Sequence, residues 1–275
     1  MFEVLKRDRY NKSYSMGVVT YISRFEEYFK PLVRQLDKYF PGIEKNYVLN
    51  GFYDQERQQK YLGEALAFLK TTRAHSVTYY NEHQSLAKCW NQLIIRSSNE
   101  KLVVMNDDLR INWIYPLCLN LQAPFFKHTV INRTWSNFII SKDIIRKFGW
   151  FDERLLGVGM EDADYFLREA IGMGKVYAPA MYFHNIYCFG VKNIVAKNFD
   201  PGWKRLSSTV GNKYTQYNID FFHQKWDSSK DLKPGSTYAL DKQFYRIKPG
   251  METPMFYNLN VLDNPLTVLP GQDTR

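Results

Sequence analysis

The chain of 275 residues is long enough to bury a full core, as one large α/β domain or as one domain with an appendage. Its 45% hydrophobic and 24% charged residues exclude a disordered polymer, and three widely spaced cysteines, Cys89, Cys118 and Cys188, exclude a disulfide-dense scaffold and predict reduced thiols in a cytoplasmic setting. The net charge of +9 favours an anionic partner, whether nucleic acid, a membrane surface or a phosphorylated small molecule, and 16% aromatic residues leave rings over for a binding surface.

The amino terminus carries charges where a signal peptide needs its apolar segment. The longest apolar candidate, Asn112 to Phe126, is interrupted by Pro116 and Pro124 and falls short of the ~20 residues of a membrane span. A soluble or at most peripheral protein is expected.

After a polar lead, Gly17 to Ile22 reads as the first strand. Phe25, Tyr28, Phe29, Leu32, Val33 and Leu36 then recur at helical spacing, with Pro31 in the first turn of the main helix and Pro41-Gly42 as its stop. A second strand runs from Asn46 to Asn50, and a helix from Gln55 to Lys70 aligns Leu62, Ala65, Leu66 and Leu69. His75 to Tyr80 is β-branched and aromatic, as a third strand should be. From Ser85 a helix gathers Leu86, Ala87, Trp90, Leu93 and Ile94 on one side.

Lys101 to Asp108, Lys-Leu-Val-Val-Met-Asn-Asp-Asp, is an apolar run that ends in two adjacent carboxylates. Unbroken apolar character suits a strand covered on both faces, whose carboxyl end is where ligands bind in open α/β sheets. Taken alone, Asn106-Asp107-Asp108 reads first as an ordinary solvated turn. The first 108 residues thus alternate strand and helix with short connections, the pattern of a parallel sheet wrapped by helices. They lack Gly-x-Gly-x-x-Gly and Gly-Lys-Ser/Thr, which argues against dehydrogenases and P-loop enzymes.

Farther on, Lys127 to Ile131 and Ser136 to Ile140 form extended segments around Asn132-Arg-Thr-Trp135. Ser141 is expected to cap a short helix, Lys142 to Phe148, closed by Gly149. Glu161, Asp162 and Asp164 open a further helix, where the macrodipole by itself favours acids. Gly174 to His184 is an extended apolar segment ending in histidine. Lys204 to Trp226 is basic and aromatic, and from about Asp231 the chain becomes an extended tail whose aromatics predict packing against the domain.

The order of Val18-Val-Thr-Tyr21, Ser85-Leu-Ala-Lys-Cys-Trp-Asn91, Val104-Met-Asn-Asp-Asp108, Gly149-Trp-Phe-Asp-Glu153 and Met160-Glu-Asp-Ala-Asp164 resembles the family 2 type of glycosyltransferases with the GT-A fold. The resemblance spans residues 16 to 190. It implies a Rossmann-like α/β domain over residues 1–230, with a donor half at about 16–110, an acceptor half at about 111–230, and a tail over 231–275.

It also implies an inverting, divalent-metal-dependent transfer from a nucleotide-sugar donor, a UDP- or GDP-sugar, to a glycan or glycolipid acceptor. In that family the acidic motif after the fourth strand is Asp-x-Asp and holds a metal. Here Asn106 replaces the first carboxylate, which leaves Asp108 as the expected ligand of Mn2+ or Mg2+, Asp107 as its substitute and Asn106 as a ribose or water contact. His184 resembles the histidine that completes such sites. Asp162 corresponds to the catalytic base and Glu161 to an acceptor-holding neighbour, whereas Asp164 is expected to be structural. Thr20, Tyr21 and Arg24, with Asn50 or Asp54 and with Lys88 and Asn91, should border the donor.

No nucleic-acid partner is expected, and peripheral membrane contact is expected near Lys204 and Arg205. The competing readings are a sugar-phosphate nucleotidyltransferase, disfavoured by the missing glycine-rich loop, and a non-catalytic glycan- or nucleic-acid-binding module.

Overall fold

The computed structural model describes residues 2–4, 11–21, 24–52, 55–172, 185–194, 214–227 and 246–263. Its centre is a mixed, mostly parallel sheet flanked by helices, the α/β GT-A arrangement that the resemblance implies. The first strands are β1 (Phe2–Val4), β2 (Asn11–Thr20), β3 (Ile43–Leu49), β4 (Ser76–Tyr79) and β5 (Lys101–Asn106). They are joined by helices α1 (Lys30–Tyr39), α2 (Gln55–Lys70) and α3 (Leu86–Arg96). Pro31 stands in the first turn of α1, the position in a helix that proline fits best.

Beyond β5 come β6 (Leu109–Ile111), α4 (Ile114–Gln122), β7 (His128–Ile131), β8 (Thr134–Ser141), α5 (Lys142–Phe148) and α6 (Glu161–Gly172). Then follow β9 (Asn185–Ile186), β10 (Val191–Asn193), α7 (Thr215–Lys225), β11 (Trp226–Asp227) and β12 (Arg246–Ile247). Among the described residues the main sheet has the order β1-β4-β3-β2-β5-β8-β7-β9. From β2 the chain steps outward to β3 and β4, then crosses back to place β5 on the other side of β2. Both neighbours of β2 run parallel to it. The sheet therefore has its topological switch point between β2 and β5, where the diverging connections leave a crevice at the strands' carboxyl ends.

Two-residue alternation divides the core. Met16, Val18, Val103 and Met105 face the layer holding Leu32, Leu36, Tyr61 and Leu69, while Val19, Leu102 and Val104 face Trp90, Leu93 and Ile94 of α3. Gly17 is the contact point of sheet and α3, since a Cβ there would lie 2.9 Å from Leu93.

Several elements differ from the sequence reading. The polar lead contains β1 and the start of β2, because ladder pairing with β4 and β3 supplies what hydrophobic pattern lacks. The Asn112 to Phe126 stretch contains helix α4, with Pro116 early in it and Pro124 in a following 3-10 turn, both positions that tolerate proline. Ser141 stands at the amino end of α5, yet its hydroxyl makes no capping bond. β8 begins at Thr134, so Asn132 and Arg133 alone make the hairpin turn, with φ of 54° and 61°. Near the carboxyl end of the described residues, Val261 and Leu262 join the α3 side of the core.

Candidate active site

At the switch point, β2 and β5 are in parallel register with Val19 opposite Asn106. The next residue on each strand is therefore Thr20 and Asp107, and the Thr20 hydroxyl donates to Asp107 Oδ2 at 2.8 Å. Arg24 reaches across from the β2 side. Its Nη2 lies 2.6 Å from Asp107 Oδ1 and 2.7 Å from Asp108 Oδ2. The Arg24 side chain is only 10% exposed, so this is a desolvated ion triad rather than a surface pair.

Burial works against the Arg24 charge, but Asp107 and Asp108 outweigh it and hold the guanidinium above its ordinary range. Burial pushes the Asp107 carboxyl up to about 6, with the Arg24 charge opposing and the Asp108 charge adding to the rise. The short two-carboxylate contact is that of an ion pair, and a guanidinium shared between two adjacent acids is what permits both to sit there. Asp108 Oδ1 is buried with no hydrogen-bond partner among the described residues.

Local structure aims Arg24. Immediately after it the Lys30 N–H bonds back to the Phe25 carbonyl, an i to i+5 turn of π type spanning Phe25–Phe29. The Arg24 guanidinium stacks 5.1 Å from the Tyr28 ring centroid. Arg110, which the sequence reading did not single out, donates to the Glu27 and Tyr28 carbonyls and pins this turn from β6. Its only sequence signal is its place two residues after Asp108. The backbone of the acidic motif is held as well, since the Ile194 N–H donates to the Asp108 carbonyl at 2.8 Å, beside the β6–β10 ribbon.

The other residues expected to border the donor divide. Tyr21 stacks on His83 with centroids 5.6 Å apart. Asn50, fully buried, donates to the Gln84 carbonyl and accepts from the Gly51 and Gln84 N–H groups, so its amide braces the 81–84 loop over the end of β3. Gly51 is needed there, as a Cβ would lie 2.2 Å from the Glu82 carbonyl. Asn91 joins α3 to the Phe151-Asp152-Glu153 segment through the Phe151 carbonyl, the Phe151 N–H and Glu153 Oε1. Lys88, half-buried, lies 5.8 Å from the Tyr80 ring centroid. Asp54 and His184 lie outside the described residues, as do Lys204 and Arg205.

The second acid pair opens α6. The approach is Gly157, Val158, Gly159 and Met160, with φ of 59° at Gly157, 122° at Gly159 and 72° at Met160. A left-handed methionine is strained, and such backbone clusters at functional sites. The Gly157 carbonyl accepts from the Leu86 N–H at 2.7 Å, which ties this approach to the amino end of α3. Glu161 is buried, and its Oε2 accepts from the Gly159 N–H at 2.5 Å. Burial first, then the Asp162 charge, pushes its carboxyl up to about 8. Asp162 is half-buried and accepts the Ala163 N–H at 2.8 Å.

Asp164 faces inward and binds Trp226 Nε1, Arg168 Nε and Lys225 Nζ at 2.9, 3.0 and 2.6 Å. Lys225 in turn meets Asp152 Oδ2 at 2.7 Å. Burial opposes the Asp152 charge, but hydrogen bonds from Arg154 and the Lys225 charge outweigh it and hold the carboxyl at about 2.

A divalent cation is the group the fold implies, and one feature of the site fits it: the buried Asp108 Oδ1, without a hydrogen-bond partner among the described residues, is a hard oxygen of the right kind. Among the described residues no three His, Cys, Asp or Glu side chains cluster closely enough to hold a metal by themselves.

A family model described as glycosyltransferase-like family 2 matches residues 64–247. Curated proteins give no match. Among solved structures, the chain is similar to residues 1–349 of TarS from S. aureus, at 16% identity over 56% of this chain and 54% of that one, with a TM-score of 0.43. It is also similar to the mannosyltransferase PcManGT from Pyrobaculum calidifontis, at 12% identity over 57% and 52% of the two chains, with a TM-score of 0.38. A third is glucosyl-3-phosphoglycerate synthase from Mycobacterium tuberculosis, at 9% identity over 68% and 73%, with a TM-score of 0.41. The chain spans about half the length of the first two. These identities are too low to transfer function.

Proposed function

The chain belongs to the glycosyltransferase-like family 2, and on that premise we propose that it moves a sugar from a nucleotide-diphosphate donor to a hydroxyl acceptor, with inversion at the anomeric carbon and with help from a divalent cation. The observation that carries this reading is the meeting of Thr20, Arg24, Asp107 and Asp108 at the switch point of the sheet. In open α/β sheets that crevice is where nucleotides bind.

On this reading the donor lies over the carboxyl ends of β2, β3 and β5, bordered by Thr20, Tyr21 and Arg24, with Lys88 reaching from α3. Asn50 and Asn91 shape the rim through their backbone bonds. Asp108, with Asp107 and Asn106 beside it, would hold Mg2+ or Mn2+, which supplies neutralising charge for the departing diphosphate. Arg24 keeps positive charge at the same place.

The acceptor hydroxyl attacks the anomeric carbon as the bond from that carbon to the diphosphate oxygen breaks. Asp162 takes the hydroxyl proton. Burial and the Asp162 charge raise the Glu161 carboxyl and favour its neutral form, which would donate a hydrogen bond to the acceptor rather than compete as base, a separation of roles between paired carboxyls.

The division into a donor half at about 16–110, an acceptor half at about 111–230 and a tail over 231–275 belongs to the same proposal. So does a UDP- or GDP-sugar as donor with a glycan or glycolipid as acceptor. No described helix is long and apolar enough to cross a membrane.

The test is a screen of sugar nucleotides for Mn2+- or Mg2+-dependent hydrolysis or transfer, repeated with Asp108→Ala, Asp108→Asn and Asp162→Ala. Each variant should lose roughly 100-fold or more in turnover, with circular dichroism unchanged. Wild-type turnover in both the Asp108 and the Asp162 variants would overturn the site assignment.

A further inference from the structure

Helix α4 is apolar on both sides. Tyr115 and Leu119 are fully buried and anchor it, while Trp113, Leu117 and Leu121 follow one another at four-residue spacing on the outside, 63%, 55% and 73% exposed. Phe125 continues the stripe at 82% exposed. An ordinary surface helix turns charged residues outward, and this one turns none.

The 187–190 segment lies alongside. The Tyr187 carbonyl accepts from Gln122 Nε2 and Cys118 Sγ, and the Gly190 carbonyl accepts from the Asn112 N–H. This brings Tyr187, 54% exposed, and Phe189, 73% exposed, beside the helix. So many large apolar side chains together mark a contact surface.

The charges around this face are mostly basic. Between Leu109 and Trp135 the sequence contains Arg110, Lys127 and Arg133 but no Asp or Glu. Arg110 and Lys192 line a depression with Asn112 and Gly190, the residues next to Trp113 and Phe189. Lys101 Nζ bonds the Ala123 and Pro124 carbonyls beside Phe125, and the Arg133 guanidinium stands 5.5 Å from the Tyr187 ring centroid. The nearby acid Asp143 is paired with Lys127.

We propose that this face docks on the surface of an anionic lipid bilayer, with Trp113, Leu117, Leu121 and Phe125 entering the boundary between headgroups and acyl chains and the basic rim meeting lipid phosphates. Leucine, tryptophan and phenylalanine ringed by cations are the composition that holds a helix in that plane. A second copy fits less well, because a two-fold contact would set the same mostly basic rim against itself. The inference does not rest on the proposed reaction.

The test is co-sedimentation of the full chain with vesicles of phosphatidylcholine alone or with roughly 30 mol% phosphatidylglycerol. The wild type should bind the anionic vesicles, bind the neutral ones weakly, and come off as salt rises. Leu121→Glu with Phe125→Glu should lower binding about tenfold or more, with unchanged circular dichroism, since both side chains are exposed. Lys192→Glu should lower it by a smaller factor. Absence of binding, or binding that the double substitution leaves intact, overturns the proposal. Sedimentation velocity supplies the other arm: a wild-type dimer that the double substitution dissociates would assign the face to a second copy and equally overturn it.

Discussion

Single side chains at the site were legible in unequal degree. Thr20, Arg24, Asp107 and Asp108 were all drawn from the sequence and come together, but the sequence reading set Arg24 against the donor alone. Its actual partners are the two carboxylates. Which acid a long cation selects depends on three-dimensional neighbours, and nothing in local spacing reports it.

Glu161 was legible as one of an acid pair, whereas the rise of its carboxyl follows from burial and the Asp162 charge. Its carboxyl moves from 4.5 to about 8. Between those values the folded protein keeps a proton that the unfolded chain has released, so this group's contribution to stability falls as pH rises through the window. Glu161→Gln removes the titration. The variant should gain on the wild type from about pH 5 to about pH 8, by about 1 kcal/mol or more, read by urea unfolding at both values. An equal difference at the two would contradict a raised Glu161.

Among elements, α6 and α7 are joined by charge inside the core. Lys225 is fully buried and bridges Asp152, which precedes α6, to Asp164 within it, with a further bond to Thr253 of the tail. Lys225→Ala would remove the cation that the two acids share while leaving Asp152 with Arg154 and Asp164 with Arg168 and Trp226. The expected loss is roughly 1.5 to 3 kcal/mol, measured as a lower denaturation midpoint. A loss below about 1 kcal/mol would mean that the network behaves as a surface pair. The Gly149 to Glu153 motif thereby has an architectural part besides any contact with substrate: Trp150 Nε1 bonds the Tyr257 carbonyl and Phe151 stacks on Tyr165 at 4.2 Å. Spacing alone announced α6, since acids gather at helix starts. Lys225 carries no such signal, being one basic residue in a basic stretch.

For the molecule as a whole, the crevice between β2 and β5 predicts linked binding of metal and nucleotide. A nucleoside diphosphate at about 100 times its dissociation constant should stabilise the fold by about 2.7 kcal/mol, seen as a rise in melting temperature. The Mn2+-dependent part of that rise should vanish in Asp108→Asn. An equal rise with and without Mn2+ would remove the cation from the donor site.

The sequence by itself determined the alternation of strand and helix up to Asp108, the acids at the end of β5 and those at the start of α6, because hydrophobic period and turn chemistry act over a few residues. Only the tertiary structure decided the return of β5 to the side of β2, the pairing of β6 with β10, the apolar outer face of α4 and the sharing of Arg24 by two acids. Leu109 meets Asn193 in that ribbon, across more than eighty positions of chain. Contacts at such separation are selected by the burial and pairing of the whole fold, and no local pattern encodes them.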